Sequence, residues 1–297
     1  MSHSTPRRIT VILAVLVVVV SLTGQRALAQ AVQVPAGPAG GIDPAKMPDV
    51  NGVHLGMPVQ DVVDKLKPLF PPGIGDHGLH PGYAKFGHAP GPAFVQTLYG
   101  HEDNCGNNEC AEVVQVVFNT PPSKQVAVSI DRNIAFQSGK QPTPDIVKGA
   151  LLKKYGPNPY LVTTQPLTLA WIYDEGGQII TPAKGKDLVR CAGTLSGGAA
   201  GGPTPTNSAP EYGLTGTQPL TPAFVADMMR NPCRVGVYVL AEIGGAGQTV
   251  QYLDIKISDN SEVTRDAIAE QQYLDMVAAG QQQDQLKKAQ QQAAPKF

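Results

Sequence analysis

The chain has 297 residues, 23 Lys+Arg against 24 Asp+Glu, and only 16% charged residues, where an ordinary soluble domain carries about 25%. A net charge of −1 excludes a nucleic-acid binder held by a strong basic field, and one apolar run of any length excludes a multi-span membrane protein. The 32 Gly and 27 Pro, with 6% aromatics, point to a loop-rich globular chain with few long regular elements.

The N-terminus reads as a secretory signal peptide over 1–29. Arg7 and Arg8 supply the positive start, Ile9 to Leu22 the apolar stretch, and Ala27-Leu28-Ala29 the small-x-small cleavage pattern. The apolar run is short of the roughly 20 residues that span a bilayer. No stable transmembrane anchor is expected after cleavage, and the mature chain is expected to start at Gln30 in the periplasm or outside the cell. Cysteine usage agrees with export. The four cysteines, Cys105, Cys110, Cys191 and Cys233, are an even set that reads as two disulfides in an oxidising compartment. Of the three pairings, Cys105–Cys110 and Cys191–Cys233 are favoured, because each would join segments of β type. The second closes a loop worth about 3–4 kcal/mol in the chain-entropy model.

Residues 30–48 are rich in Gly, Pro and Ala and read as a flexible leader. A first helix is expected from Pro58 to Leu66, with Val59, Val62, Val63 and Leu66 on one face. Residues 71–92 read as irregular. Strands are expected at Phe94–Tyr99, Val113–Phe118 and Gln125–Phe136. Thr143-Pro144-Asp145 opens a second helix, with Ile146, Val147, Ala150 and Leu151 on its inner face and its end at Tyr155-Gly156-Pro157. A strand at Leu167–Tyr173 follows, then an exposed insertion at 192–220 and a short helix from Thr221-Pro222. Two strands at 234–242 and 249–257 form a hairpin. Ser261 is expected to cap a last helix to about Gly280, with a Gln-rich tail over 281–297 fraying beyond it. The reading divides the mature chain into a module at 49–137, a second at 138–260 and a C-terminal segment at 261–297. The fold class expected is α+β, an antiparallel sheet with packed helices, laid out as two diverged helix-plus-sheet repeats.

The stretch Val53-His54-Leu55-Gly56-Met57-Pro58, with Val62 and Leu66, resembles the opening of the small outer-membrane lipoprotein of the β-barrel assembly machinery and of the wider β-lactamase-inhibitor-like fold. Lys153-Lys154-Tyr155-Gly156-Pro157, with Trp171-Ile172-Tyr173, resembles the second half of the same pattern. The mature chain is also similar to uncharacterised secreted proteins of Gram-negative bacteria. The resemblance implies helices packed on an antiparallel sheet. Function does not follow from fold alone.

Candidate chemistry is sparse. His77, His80, His88 and His101 lie close in sequence, and imidazole suits Zn and Cu. Their Gly/Pro-rich surroundings do not pre-orient ligands, so no metal site and no cofactor are expected. Ser258-Asp259-Asn260 matches one penicillin-recognising motif, but its companions Lys-Thr-Gly and Ser-x-x-Lys are missing from the sequence. Trp171 and Tyr173 share one face of a strand; that face is either a binding platform or core. The function expected is non-enzymatic recognition of an envelope protein or peptide, through the face or edge of the sheet. The alternatives are inhibition of a periplasmic or secreted enzyme and metal handling by 76–110.

Overall fold

The structure is a computed structural model and describes residues 46–72, 78–85, 93–101, 112–164, 167–174, 177–181, 237–245 and 248–291. All of them belong to one compact unit, Val34–Phe297. The expected signal peptide, all four cysteines, His77, His88, the expected insertion 192–220 and the helix expected at 221 lie outside the described residues.

The described chain opens with a small hairpin, β1 (Asp49–Val50) and β2 (Val53–His54). Asn51 and Gly52 turn it, both at positive φ, 53° and 75°. A type I′ hairpin turn requires that backbone at both central positions, and Asn-Gly adopts it at little cost. The helix α1 (Val59–Leu66) follows, with Pro58 one residue outside it as the N-cap. Val62 and Leu66 are fully buried, and Val59 and Val63 pack partly buried beside them. Each such apolar side chain contributes about 1.5–3 kcal/mol when fully buried. The lead-in to α1 is stitched to the sheet: Gly56 N donates to Ala127 O and Ala127 N to Met57 O, both at 2.8 Å.

Four strands follow: β3 (Gly78–Ala84), β4 (Phe94–His101), β5 (Glu112–Phe118) and β6 (Ala127–Ala135). β3 corrects the expectation of irregular structure through 71–92. Gly78, Pro81 and Gly82 read as breakers, but β3 is an edge strand. There the missing N–H of a proline leaves a ladder intact.

The second half repeats the plan. The helix α2 (Pro144–Tyr155) starts at Pro144 as expected, and Thr143 takes the N-cap position without a side-chain cap bond. Its inner face is Val147, Leu151 and Tyr155. Ile146 is 64% exposed and Ala150 is also exposed. The buried stripe thus runs i, i+4, i+8 and lies one step round the helix from the expected one. Strands β7 (Leu161–Thr164), β8 (Leu167–Tyr173), β9 (Val237–Gly244) and β10 (Tyr252–Asp259) follow. The last helix, α3 (Asn260–Gln291), continues directly from β10 and runs 32 residues. Asp259 rather than Ser261 caps it, its Oδ1 accepting from Glu262 N at 3.0 Å. The Gln-rich segment is helical as far as Gln291 instead of fraying after Gly280.

The eight strands β3 to β10 form one antiparallel sheet in the order β3-β4-β5-β6-β10-β9-β8-β7. Each half is a four-strand meander, and the last strands of the two halves, β6 and β10, pair at the centre. The α+β class and the helix-plus-sheet repeat are therefore present. The repeat also shows in single residues. Just before each helix a carbonyl accepts from the backbone near the start of the fourth strand: Met57 O from Ala127 N and Pro142 O from Val250 N, both at 2.8 Å. The buried trio Val62, Leu66 and Phe70 has its counterpart 85 positions later in Val147, Leu151 and Tyr155.

α1 and α2 contribute to one apolar core with one face of this sheet, on which Leu98, Val114, Val116, Ile130, Ile255, Ile257, Val239, Leu169 and Trp171 are buried. Gly100 belongs to this face. A Cβ there would come within 2.7 Å of the Phe70 ring, so the aromatic can lie on the strand only because no side chain is present.

Candidate functional site

Because side chains alternate along a strand, the residues between these core positions define the opposite face. Cross-strand register aligns them in a row: His80 on β3 opposite Tyr99 on β4, Tyr99 opposite Gln115 on β5, Gln115 opposite Asp131 on β6, and Asp131 opposite Lys256 on β10. His80 and Tyr99 are exposed, and the other three are half-buried. The adjoining row, two residues along the strands and away from α3, brings His101, Val113, Asn133, Asp254 and Glu242. The row on the other side holds Val117, Ser129 and Ser258, which are buried. This face thus grades from buried, where β10 passes into α3, to exposed.

At its centre two acids flank one cation. Lys256 Nζ lies 3.6 Å from Asp131 Oδ2 and 3.4 Å from Asp254 Oδ2. Burial raises the Asp131 carboxyl well above its ordinary range, and a hydrogen bond with Asp254 and that neighbour's charge raise it further, against the pull of Lys256. Burial works against the charge on Lys256, but Asp131 and Asp254 together raise its pKa. Asp254 Oδ1 is buried without a hydrogen-bond partner. Directly across from Asp254 stands Glu242, whose Oε1 accepts from Tyr252 Oη at 3.4 Å. Like charges opposite each other weaken a sheet, so this placement is not explained by stability.

The aromatic end is built differently. Tyr99 and His101 meet edge to face at 4.8 Å between ring centroids, and His80 and His101 at 6.2 Å. Of the four histidines singled out from the sequence, the structure brings these two together. Among the described residues no three His, Cys, Asp or Glu side chains gather in a way that would hold a metal ion.

Trp171 and Tyr173 offer no binding platform. They are 0% and 5% exposed, on the core face beneath α2. Trp171 Nε1 donates to Gly156 O and Tyr173 Oη to Tyr155 O, each at 3.0 Å. Their polar ends are satisfied by the C-terminus of α2, and burial raises the Tyr173 phenol well above its usual range.

The central acids and Lys256 escape a reading of the sequence. Asp254 and Lys256 alternate with Leu253, Ile255 and Ile257, which does mark them as outward-facing. That β6 and β10 are neighbours is a fact of topology, and only that pairing brings Asp131 to them. Among the described residues no helix is long and apolar enough to cross a membrane. No family model, no curated protein and no solved structure matches this chain.

Proposed function

We propose that this chain is an exported, non-enzymatic binding protein that recognises another protein or peptide of the cell envelope through the polar face of its sheet. The observation that carries the reading is the row His80, Tyr99, Gln115, Asp131 and Lys256, aligned across five strands on the face opposite the core. A face with exposed aromatics at one end and a polar centre is suited to a protein surface. Asp254 and Glu242 stand opposite each other with Lys256 as the cation that pairs with Asp254. That excess of negative charge favours a partner segment presenting an Arg or Lys side chain. The helix-plus-sheet repeat fits the resemblance to the β-lactamase-inhibitor-like fold carried by Gly56-Met57-Pro58 and Tyr155-Gly156-Pro157. The signal-peptide pattern and the even cysteine count support an envelope location.

The test is capture from an envelope extract of the producing cells on the immobilised mature chain, with Tyr99→Ala and Lys256→Glu as face variants and Ile146→Glu, on the exposed side of α2, as the control. A partner retained by the wild type and by Ile146→Glu, and lost from both face variants, is the expected result. Equal retention by all four proteins would overturn the reading.

A further inference from the structure

α3 is tied to the connection between β5 and β6, and one hydroxyl of that connection lies between two of the helix's acids. Thr120 Oγ1 lies 3.0 Å from Asp266 Oδ2 and 3.2 Å from Glu270 Oε2. A threonine hydroxyl has one proton to donate. It can give that proton to one carboxylate, and toward the other it can only accept. Burial raises the Asp266 carboxyl, but Asp266 also takes the Thr120 backbone N–H at 2.9 Å and a bond from the Ser123 side chain, which work against that rise, so of the two carboxyls Asp266 is the better furnished to carry the charge. Glu270 is 3% exposed, and its Oε1 is buried without a hydrogen-bond partner. The arrangement that satisfies the chain of bonds has a proton on Glu270 Oε2, donated to Thr120 Oγ1, whose own proton goes to Asp266 Oδ2.

The charged group facing Glu270 is Asp266, a like charge from its own helix. The β5–β6 connection faces it with neutral groups, Thr120, Ser123, and Asn119, whose Nδ2 donates to Glu262 Oε1 at 2.9 Å; its one charged residue, Lys124, is exposed and does not act on Glu270. The nearby cation Arg265 is paired with Glu262. Among the described residues of β6 and β9, no charged side chain acts on Glu270. Among the described residues no cation is thus placed to hold a second carboxylate there.

We propose that α3 is a proton-dependent strap, docked on the β5–β6 connection while Glu270 carries its proton and loosened when that proton leaves. Burial first, and the charge of Asp266 second, lift the Glu270 carboxyl to about 7, so the change falls across neutrality. Loosening uncovers Ile268, which is 4% exposed in the docked helix. This device is independent of what the sheet face binds.

Amide hydrogen exchange of the purified chain at about pH 6 and about pH 8.5, corrected for intrinsic rates, tests it. Linkage predicts that protection over 262–274 falls about tenfold between the two in the wild type. Glu270→Gln, whose amide N–H can supply the bond to Thr120 at every pH, removes the fall. A wild type with unchanged protection, or a Glu270→Gln variant with the full pH dependence, would overturn the proposal. Restoration of protection by Ca²⁺ at the higher pH would overturn it too, by showing that the unpartnered oxygens of Asn119, Asp266 and Glu270 hold a cation. A carbon-13 titration of the Glu270 carboxyl needs no variant. A midpoint near neutrality supports the strap, and one in the ordinary range, about 4.3, contradicts it.

Discussion

The indole of Trp171 donates to the carbonyl of Gly156 across 3.0 Å, in the interior. This bond joins β8 to the end of α2, and Tyr173 repeats it one residue earlier in the helix by donating to Tyr155 O. The Tyr155 hydroxyl in turn donates to Asp49 O at 3.0 Å, and Lys154 Nζ reaches Asp49 Oδ1 at 3.1 Å. The C-terminus of α2 is therefore the junction where the second half meets the N-terminal hairpin of the first. Trp171→Phe should keep most of the packing and lose this bond, costing about 1 kcal/mol. Trp171→Ala should cost about 3–5 kcal/mol. Urea unfolding of the two variants measures both.

The equivalence of the halves makes a second prediction. Leu66→Ala and Leu151→Ala remove counterpart anchors, 0% and 4% exposed, and each should cost about 2–5 kcal/mol. Ile146→Ala, on the exposed side of α2, should change stability by less than about 0.5 kcal/mol. Equal losses at Ile146 and Leu151 would show that the α2 stripe is misplaced.

How much of this was legible in the sequence differs by element. Pro58 and Pro144 announce α1 and α2, and the Val, Ile and Leu runs announce β4, β5, β6 and β8. The Asn51-Gly52 dipeptide carries the signal for the β1–β2 hairpin, but its strands have only two residues each and leave no alternation to detect. β3 is masked by its Gly and Pro content. The inner face of α2 was displaced because Ile146 and Val147 are adjacent and equally apolar, and only packing chooses between them. Trp171 and Tyr173 were correctly placed on one face, but a period of two does not say which face is core. The central site needed the β6–β10 pairing, which joins residues more than a hundred positions apart and has no local signature.

Gly100 gives the third prediction. A methyl group there would press on the Phe70 ring, so Gly100→Ala should destabilise by about 1–3 kcal/mol. Shrinking the partner, in Gly100→Ala with Phe70→Leu, should cost less than the sum of the two single changes. Thermal melts of the four proteins close the cycle.

The fourth concerns pH. Burial raises the carboxyls of Asp131 and Glu270, so both hold protons more tightly in the folded chain than in the unfolded one. Their contribution is complete below the unfolded carboxyl range, near 4, and is lost as pH rises toward neutrality. For Glu270 the loss is on the order of 2–3 kcal/mol. Denaturant titrations from about pH 4 to about pH 8 should show Asp131→Asn and Glu270→Gln each gaining on the wild type as pH rises. Parallel curves would contradict the assignment.

The central claim is that the polar sheet face is the recognition surface. It is tested most directly by placing a photo-crosslinking residue at Gln115, midway along the row His80 to Lys256, and separately at Ile146 on α2, in the producing cells. The account predicts an adduct of one defined mass from position 115 and none from position 146. No adduct at 115, or the same adduct at both, would contradict it.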